Sequence, residues 1–267
     1  MDIMNEKEMA EPFALSMLPG EAKDTLIDYA EIGLDAVGSL LDGPGYDLLK
    51  EFPILRTIGA VGKVAKNIRE RHQTKKLLAF LQEVKEGNAD QKEIERRIQA
   101  AQKGEKWFIR EVEEVFVYLD RQTSAYKSKI FGRIYIDCMS GVISYDQRIE
   151  YYDILDQLFL CDIDQLTELY YFEQAKRDAE QELNGCKKRL KPGEIGIHAV
   201  GYGVTFERAK CLRLVSLGLL ENGTVFPKNN EENSDVTLTA QGRYFANLLL
   251  KMGYQTLSKR IMDHGIV

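Results

Sequence analysis

Apolar side chains recur at helical spacing along most of the chain, and this pattern predicts a mainly α-helical fold. The first apolar stripe predicts a helix that ends at residues 43–45, a glycine-proline-glycine step that cannot sustain a helix. Residues 1–20 precede this stripe, are polar and contain Pro12 and Pro19, so a loose lead-in is predicted there. The stripe consists of Leu26, Ala30, Leu34, Val37 and Leu41.

A second apolar stripe begins after Pro53, and many basic residues flank it. Seven basic residues and one acidic residue, Glu70, lie between residues 56 and 76. A basic amphipathic helix can lie on an anionic membrane or bind a partner helix. The alternative is that the stripe packs into the core while the basic side chains face water. The candidate membrane-binding or partner-binding residues are Ile54, Ile58, Val61, Lys63, Lys66, Ile68 and Arg69.

The middle of the chain is predicted to form a helical bundle. Between residues 125 and 139 apolar side chains occupy two helix faces, which is typical of a helix buried on several sides. Ser144 and Asp162 are each followed three positions later by glutamine, a capping-box pattern that predicts a helix start at each. Short loops between the helices predict antiparallel neighbours. The helix after Ser144 is predicted to have an apolar face of Ile149, Tyr152, Leu155 and Phe159.

The C-terminal part has a different pattern. A helix is predicted from Thr205 to about residue 217, where Gly218 ends it, and strands are predicted at residues 219–226 and 236–238. Thr239 is predicted to cap a final helix. This order of helix, hairpin and helix is similar to that of winged-helix domains, and it predicts a small α+β part at the end of a helical bundle.

Two polar stretches suggest how the chain divides into domains. Residues 88–104 have few apolar side chains and are predicted to be an exposed helix or helical connector, and residues 176–193 are predicted to be a helix end and linker. We therefore expect an N-terminal amphipathic helical unit at 1–87, a central helical bundle at 88–190 and a winged-helix-like domain at 191–267.

Several basic residues of the predicted helix 205–217 are candidates for contacting nucleic acid. A winged helix that reads DNA places basic and polar side chains on this helix. Acidic residues in the same region, Glu207, Glu231, Glu232 and Asp235, would repel phosphate groups. Many such domains bind only protein, so both partners remain open. The candidate nucleic-acid contacts are Arg208, Lys210 and Arg213.

The segment around Pro53, the helical middle and the step Leu238-Thr239-Ala240-Gln241-Gly242-Arg243-Tyr244-Phe245 together resemble bacterial abortive-infection proteins of the alpha type. The resemblance implies a role in phage defence, and that family has no catalytic motif to carry over. The acidic stretch at residues 231–235 and the polar connector 88–104 depart from the family pattern.

Composition and motif spacing limit the kinds of binding site that this chain is expected to contain. The 267 residues are 44% hydrophobic and 29% charged, which is typical of a globular protein, and the net charge of −6 disfavours a protein that coats nucleic acid. The four cysteines form no Cys-x-x-Cys pair and there are three histidines, so neither a metal site nor a cofactor is predicted. Neither a signal peptide nor a membrane-spanning stretch is recognised. A cytoplasmic location is expected, and binding to the inner membrane would be peripheral.

No catalytic residue is predicted. Glu150, Asp153 and Asp156 share a helix face, but a histidine at metal-ligand spacing is lacking, and the glycines of residues 193–203 do not form a phosphate-binding loop. We therefore expect a non-enzymatic protein that binds another protein, a second copy of itself or an anionic membrane surface. The alternative is a DNA-binding transcriptional regulator.

Overall fold

A computed structural model of the chain describes residues 6–18, 52–55, 57, 68–87, 89–185, 208–221 and 237–253. These residues are mainly helical, which confirms the mainly α prediction. The helices are α1 (Glu6–Leu15), α2 (Ile68–Glu86), α3 (Gln91–Lys103), α4 (Lys106–Arg121), α5 (Ala125–Met139), α6 (Tyr145–Gln157), α7 (Leu160–Gly185), α8 (Arg208–Ser216) and α9 (Ala240–Lys251).

The chain divides into two compact units, Met1–Asp156 and Gln157–Val267. The division falls at the end of α6, whereas the polar stretches of the sequence predict divisions after residues 87 and 190. Helix α7 belongs to the second unit together with α8 and α9.

Helices α2 and α5 pack closely in the first unit. A Cβ atom at Gly132 would lie 2.7 Å from the carbonyl oxygen of Phe80, so glycine is needed for the two backbones to approach. The ring centroids of Phe80 and Phe131 are 5.1 Å apart, and those of Phe80 and Tyr135 are 5.5 Å apart. Helix α5 is buried on two faces, as its apolar pattern predicts.

The predicted loose lead-in at residues 1–20 is wrong for residues 6–15, which form α1. Phe13 packs among the rings of Phe80, Phe108 and Phe116, with centroid distances of 6.2, 6.5 and 6.1 Å. Pro12 lies inside this helix and lacks a backbone N–H donor. The buried aromatic contacts hold the helix despite this missing donor.

The prediction of a helix within residues 88–104 is confirmed by α3, but its exposure is wrong for one face, because α3 packs against α1 and α4. Its buried residues are Ile94, Arg97, Ala100 and Ala101. The side chain of Asp90 caps its first turn, and Gly104 ends it with a φ of 67°. A narrow apolar stripe with one buried arginine is enough to place this helix in the core.

Buried lysines and a capping box hold helix ends in the first unit. Ser144 and Gln147 form the predicted capping box, with N–H to side-chain oxygen distances of 2.9 and 3.2 Å. The ammonium of Lys76 donates to the carbonyl oxygens of Asp120 and Gln122 at the end of α4. Lys127 donates to the carbonyl oxygen of Asp156 at the end of α6. Each lysine supplies positive charge where a helix leaves unpaired carbonyl groups.

In the second unit, α8 and α9 pack against α7. The guanidinium of Arg243 donates to Glu173 at 2.6 and 3.0 Å, and the hydroxyl of Tyr170 donates to Asn247 at 2.6 Å. These contacts fix α9 on α7.

The residues that follow α8 and precede α9 have the predicted turn and cap chemistry. Gly218 has a φ of 71° and ends α8, and the hydroxyl of Thr239 accepts the N–H of Gly242 at 3.0 Å. A Cβ at Gly242 would lie 2.1 Å from the carbonyl oxygen of Leu219, so only glycine fits there. In the described part of this region the predicted strands appear as one isolated antiparallel bridge, between Leu220 and Leu238. Residues 222–236 of the predicted hairpin lie outside the described residues.

Candidate interaction surface

Three large apolar side chains are exposed on two packed helices of the second unit, two of them at the start of α7 and one on α8. Phe159 immediately precedes α7, Leu160 is the first residue of α7, and Leu212 lies in α8. Their exposed fractions are 61%, 47% and 52%. We call these three residues the α7–α8 patch. Large apolar side chains grouped on a protein surface typically mark a site of interaction.

An ion pair joins the two helices that carry the α7–α8 patch. The guanidinium of Arg213 donates from Nη2 and Nε to the Asp162 carboxylate, with Nη2 to Oδ1 at 2.6 Å and Nε to the two oxygens at 3.1 and 3.2 Å. The same guanidinium lies 5.3 Å from the ring centroid of Phe159. The side chain of Asp162 is fully buried. The patch is therefore built on a rigid link between the two helices.

Asp162 also explains why the predicted start of α7 is wrong. Its carboxylate accepts the N–H of Phe159 at 3.0 Å, so Asp162 lies in the first turn of the helix and does not precede it. An acidic side chain three residues inside a helix completes a capping box from the other direction. The sequence pattern identifies the helix end but places it three residues too late.

The charged residues in the sequence of α8 are all basic. This helix contains Arg208, Lys210 and Arg213 and lacks an acidic residue. The hydrogen bond from Arg213 to Asp162 raises the pKa of the guanidinium, which remains charged. Lys210 is half-buried and makes interactions of its own, and the side chain of Arg208 lies outside the described residues.

Of the predicted nucleic-acid contacts, Arg213 is already engaged by a carboxylate of its own chain. A phosphate contact through Nε and Nη2 would have to compete with Asp162 for the same N–H groups. The exposed neighbour of Arg213 in the helix is Leu212, an apolar residue. The described surface of α8 is thus partly apolar, which the sequence pattern alone did not indicate.

The predicted membrane-binding or partner-binding residues are not brought together on a described surface. Ile54 is fully buried, and its backbone N–H donates to the hydroxyl of Ser16 at 3.1 Å. Ile68 and Arg69 lie in the first turn of α2, but their side chains are outside the described residues. Ile58, Val61, Lys63 and Lys66 lie wholly outside them.

A buried cluster of charges joins α3, α4, α5 and α6 in the first unit. Glu111 accepts from Arg97 at 3.1 and 3.3 Å, and Arg148 lies 3.5 Å from the same carboxylate oxygen. Arg97 also donates to Glu93 at 2.8 Å and lies 3.3 Å from the Tyr135 hydroxyl. Arg148 also donates to Glu114. We call this arrangement the Arg97–Arg148 cluster.

The electrostatics of the Arg97–Arg148 cluster keep its neighbours protonated. Burial raises the pKa of Tyr135 and Tyr152 well above the ordinary tyrosine value. Burial also raises the pKa of the Cys138 thiol. At neutral pH these groups are neutral, so none is prepared as a base or a nucleophile. The cluster is suited to joining helices.

The carboxylates that share a face of α6 are used structurally. Asp153 accepts the hydroxyl of Tyr118 at 3.1 Å, and the backbone carbonyl of Asp156 binds Lys127. Across the described ranges, three or more His, Cys, Asp or Glu side chains are nowhere grouped so as to hold a metal ion. Nor is any described helix long and apolar enough to cross a membrane.

Sequence reasoning missed the residues of the α7–α8 patch. Phe159 was predicted on an apolar face of the preceding helix, but α6 ends at Gln157 and Phe159 is exposed in the turn. An apolar residue after the end of a helix can match the helical spacing by chance, so the apolar pattern alone does not show where the helix ends. The signal that could have corrected it is Asp162, whose capping role moves the helix start to Leu160.

Comparisons with protein-family models, with curated proteins and with solved structures find no match to this chain.

Proposed function

We propose that this chain is a non-enzymatic bacterial defence or prophage-associated protein that acts by binding another protein through the α7–α8 patch. The observation that carries the binding role is the exposure of Phe159, Leu160 and Leu212 on two helices that the Arg213–Asp162 ion pair joins. The defence setting is supported by the resemblance of the sequence to abortive-infection proteins.

The patch has the composition of a protein-binding site. Aromatic and arginine side chains are enriched among residues that dominate binding energy, and a rigid side chain loses little entropy on association. Arg213 is held by Asp162 and by the ring of Phe159, so its position is fixed before a partner arrives. Leu160 and Leu212 add exposed apolar side chains that a partner protein can bury.

Membrane-surface contact through the Ile54–Arg69 region is less well supported. Ile54 and Leu55 are buried, so this region would have to leave the core before Ile54 could enter a bilayer. Leaving the core would expose a fully buried isoleucine, which costs about 1.5–3 kcal/mol for that side chain alone.

A winged-helix-like arrangement of the second unit is part of this proposal. The left-handed Gly218, the Leu220–Leu238 bridge and the cap at Thr239 are the features expected at the base of a wing. Such a domain can bind DNA or protein. We favour protein, because duplex DNA would bring phosphates against three exposed apolar side chains.

The proposal is tested in bacteria that express the chain and are challenged with phage. The variant combines Leu160→Glu with Leu212→Glu, and Val142→Glu is the matched control because Val142 is an exposed apolar residue of the other unit. We expect the double variant to lose protection, measured as plating efficiency, and the control to keep it. A photo-crosslinking amino acid at position 212 should yield one discrete protein adduct in cells.

Both substitutions affect exposed positions, so each variant should unfold within about 0.5 kcal/mol of the natural protein. Urea unfolding of the purified variants checks this point. Unchanged protection in the double variant, or crosslinks to nucleic acid alone, would contradict the proposal.

A further inference from the structure

Helix α1 covers three aromatic rings that α2 and α4 contribute to the first unit. The ring centroid of Phe13 lies 6.2, 6.5 and 6.1 Å from those of Phe80, Phe108 and Phe116. The helix itself packs against α3 and α4. We call Phe80, Phe108 and Phe116 the α1-binding surface. Since the side chains of Phe80 and Phe108 are fully buried, this surface needs a cover in the folded protein.

The side chains that α1 buries form a single apolar stripe. They recur at i, i+3, i+4 and i+7, which places them on one face of a helix. Glu8 and Glu11, on the other side, are exposed. The fully buried residues of the stripe are Ala10, Phe13, Ala14 and Met17. An amphipathic helix on an apolar surface is also a common way for one chain to bind another.

The helical structure of α1 depends on the surface that it covers. The helix has ten residues and contains Pro12, which lacks a backbone N–H donor. Isolated helices shorter than about 12–15 residues are marginal in water. It follows that α1 folds where an α1-binding surface is available, whichever chain supplies that surface.

The connection after α1 is long enough to reach a second copy. Residues 19–51 lie between Leu18 and Phe52, and an extended chain of that length spans at most roughly 110 Å. The hydrogen bond of 3.1 Å from the Ile54 N–H to the Ser16 hydroxyl would form in either arrangement, because Ser16 follows α1 directly and would move with it.

We propose that two copies of this chain exchange α1, so that the helix of each copy binds the α1-binding surface of the other. The contacts define the occupant, because an exchanged α1 makes every contact that it makes within one chain. Exchange of an identical element is a low-cost route to a dimer. This interaction belongs to the first unit and is independent of the function proposed for the α7–α8 patch.

Protein concentration decides between the two arrangements. A helix tied to its own chain has an effective concentration that is at most on the order of millimolar and falls as the connection lengthens. The exchanged dimer should therefore become the main species as the protein approaches about 1 mM.

A crosslink outside the apolar stripe tests the exchange. Gln102 of α3 and Glu11 of α1 are exposed, and Nε2 of Gln102 lies 3.5 Å from Oε1 of Glu11. A full chain with Glu11→Cys is mixed with a full chain with Gln102→Cys, opened briefly in mild urea and treated with a short bifunctional maleimide. Peptide mapping distinguishes the link between positions 11 and 102 from links through the natural cysteines.

We expect this link between the two chains, with a yield that rises about tenfold or more from about 10 μM to about 1 mM. Adding Phe13→Ala to the Glu11→Cys chain should abolish the link, because it removes the ring that binds the aromatic surface. Adding Glu8→Ala, on the exposed face of α1, should leave the yield unchanged. Light scattering of the natural protein, which needs no substitution, should show the mass rising from 30.5 kDa towards twice that value.

A chain that carries both cysteines provides the reference, since its own α1 brings the two positions together. A link within that chain but none between the mixed chains at about 1 mM would overturn the proposal. No link within that chain would show that α1 does not lie on α3, which would overturn it as well. A link between chains that survives Phe13→Ala would show a contact that does not use the stripe, and would also contradict exchange.

Discussion

The pKa of Tyr118 is raised both by burial and by a neighbouring negative charge. Its ring packs 4.9 Å from that of Tyr152, and its hydroxyl donates to Asp153. Burial, and then the negative charge of Asp153, raise the pKa of Tyr118 from 10.0 to about 12. The folded protein therefore holds this proton at a pH where the unfolded chain releases it.

This difference predicts an alkaline loss of stability. The contribution of Tyr118 is fully present below pH 10.0 and is lost as the pH rises towards about 12. Tyr118→Phe lacks the ionisable hydroxyl, so its free energy of unfolding should fall less steeply over that interval. Urea unfolding of both proteins in steps of pH measures the two slopes. The difference between the proteins should be constant below pH 10.0, and parallel curves above it would contradict the prediction.

Single residues also show where sequence reasoning stops. The glycine at 218 and the cap at Thr239 were predictable because turn chemistry depends on a few neighbouring residues. The burial of Arg97 was not, because its partners Glu111 and Tyr135 come from two other helices. A buried charge is recognisable only when its partners are known, and these are distant in the sequence.

In the first unit, the Arg97–Arg148 cluster connects helices through buried ion pairs. Glu111 of α4 lies between an arginine of α3 and an arginine of α6. Removing one member of a buried ion pair leaves the other charge without compensation, and this is far costlier than losing an exposed pair. The free energy of unfolding should therefore be sensitive to single substitutions in the Arg97–Arg148 cluster.

Arg148→Met tests this sensitivity. The side chain of Arg148 is 2% exposed, and its loss leaves Glu111 and Glu114 short of a positive charge. We expect the free energy of unfolding to fall by about 3–5 kcal/mol. Arg96→Met is the matched control, because Arg96 pairs with Glu93 but is 63% exposed, and it should cost at most about 1 kcal/mol.

Chemical denaturation of the two variants gives the comparison. Similar losses for Arg148→Met and Arg96→Met would show that the buried cluster contributes no more than a surface pair. Adding Glu114→Gln to Arg148→Met should recover part of the loss, since it removes one of the uncompensated carboxylates.

Helix existence was more predictable than helix packing. The two apolar faces of α5 and the capping box at Ser144 follow from local spacing, and the structure confirms them. Helices α1 and α3 were misjudged because each has a weak local signal: α1 contains Pro12, and α3 has few apolar residues. Both are buried by distant aromatic or charged partners that a local pattern does not reveal.

At the scale of the whole molecule, the mainly helical class was predictable because it sums many local signals. The division after Asp156 was not, since it depends on which helices pack together and not on where polar residues accumulate. Helix α3 is polar in sequence and nevertheless packs against α1 and α4, so a polar stretch need not mark a domain boundary.

The hydrogen bond between Ser16 and Ile54 has a consequence for how this protein can be altered. It brings Ser16 and Ile54 together, and Met17, Phe52 and Ile54 are buried. Two positions that are neighbours in a core can be joined by connections of different length without rerouting the chain. We expect a short glycine-serine linker in place of residues 19–51 to keep the first unit folded, with stability unchanged or raised by about 1–2 kcal/mol, since a shorter connection costs less entropy to close. Circular dichroism and urea unfolding would measure this, and a chain that no longer folds would contradict the prediction.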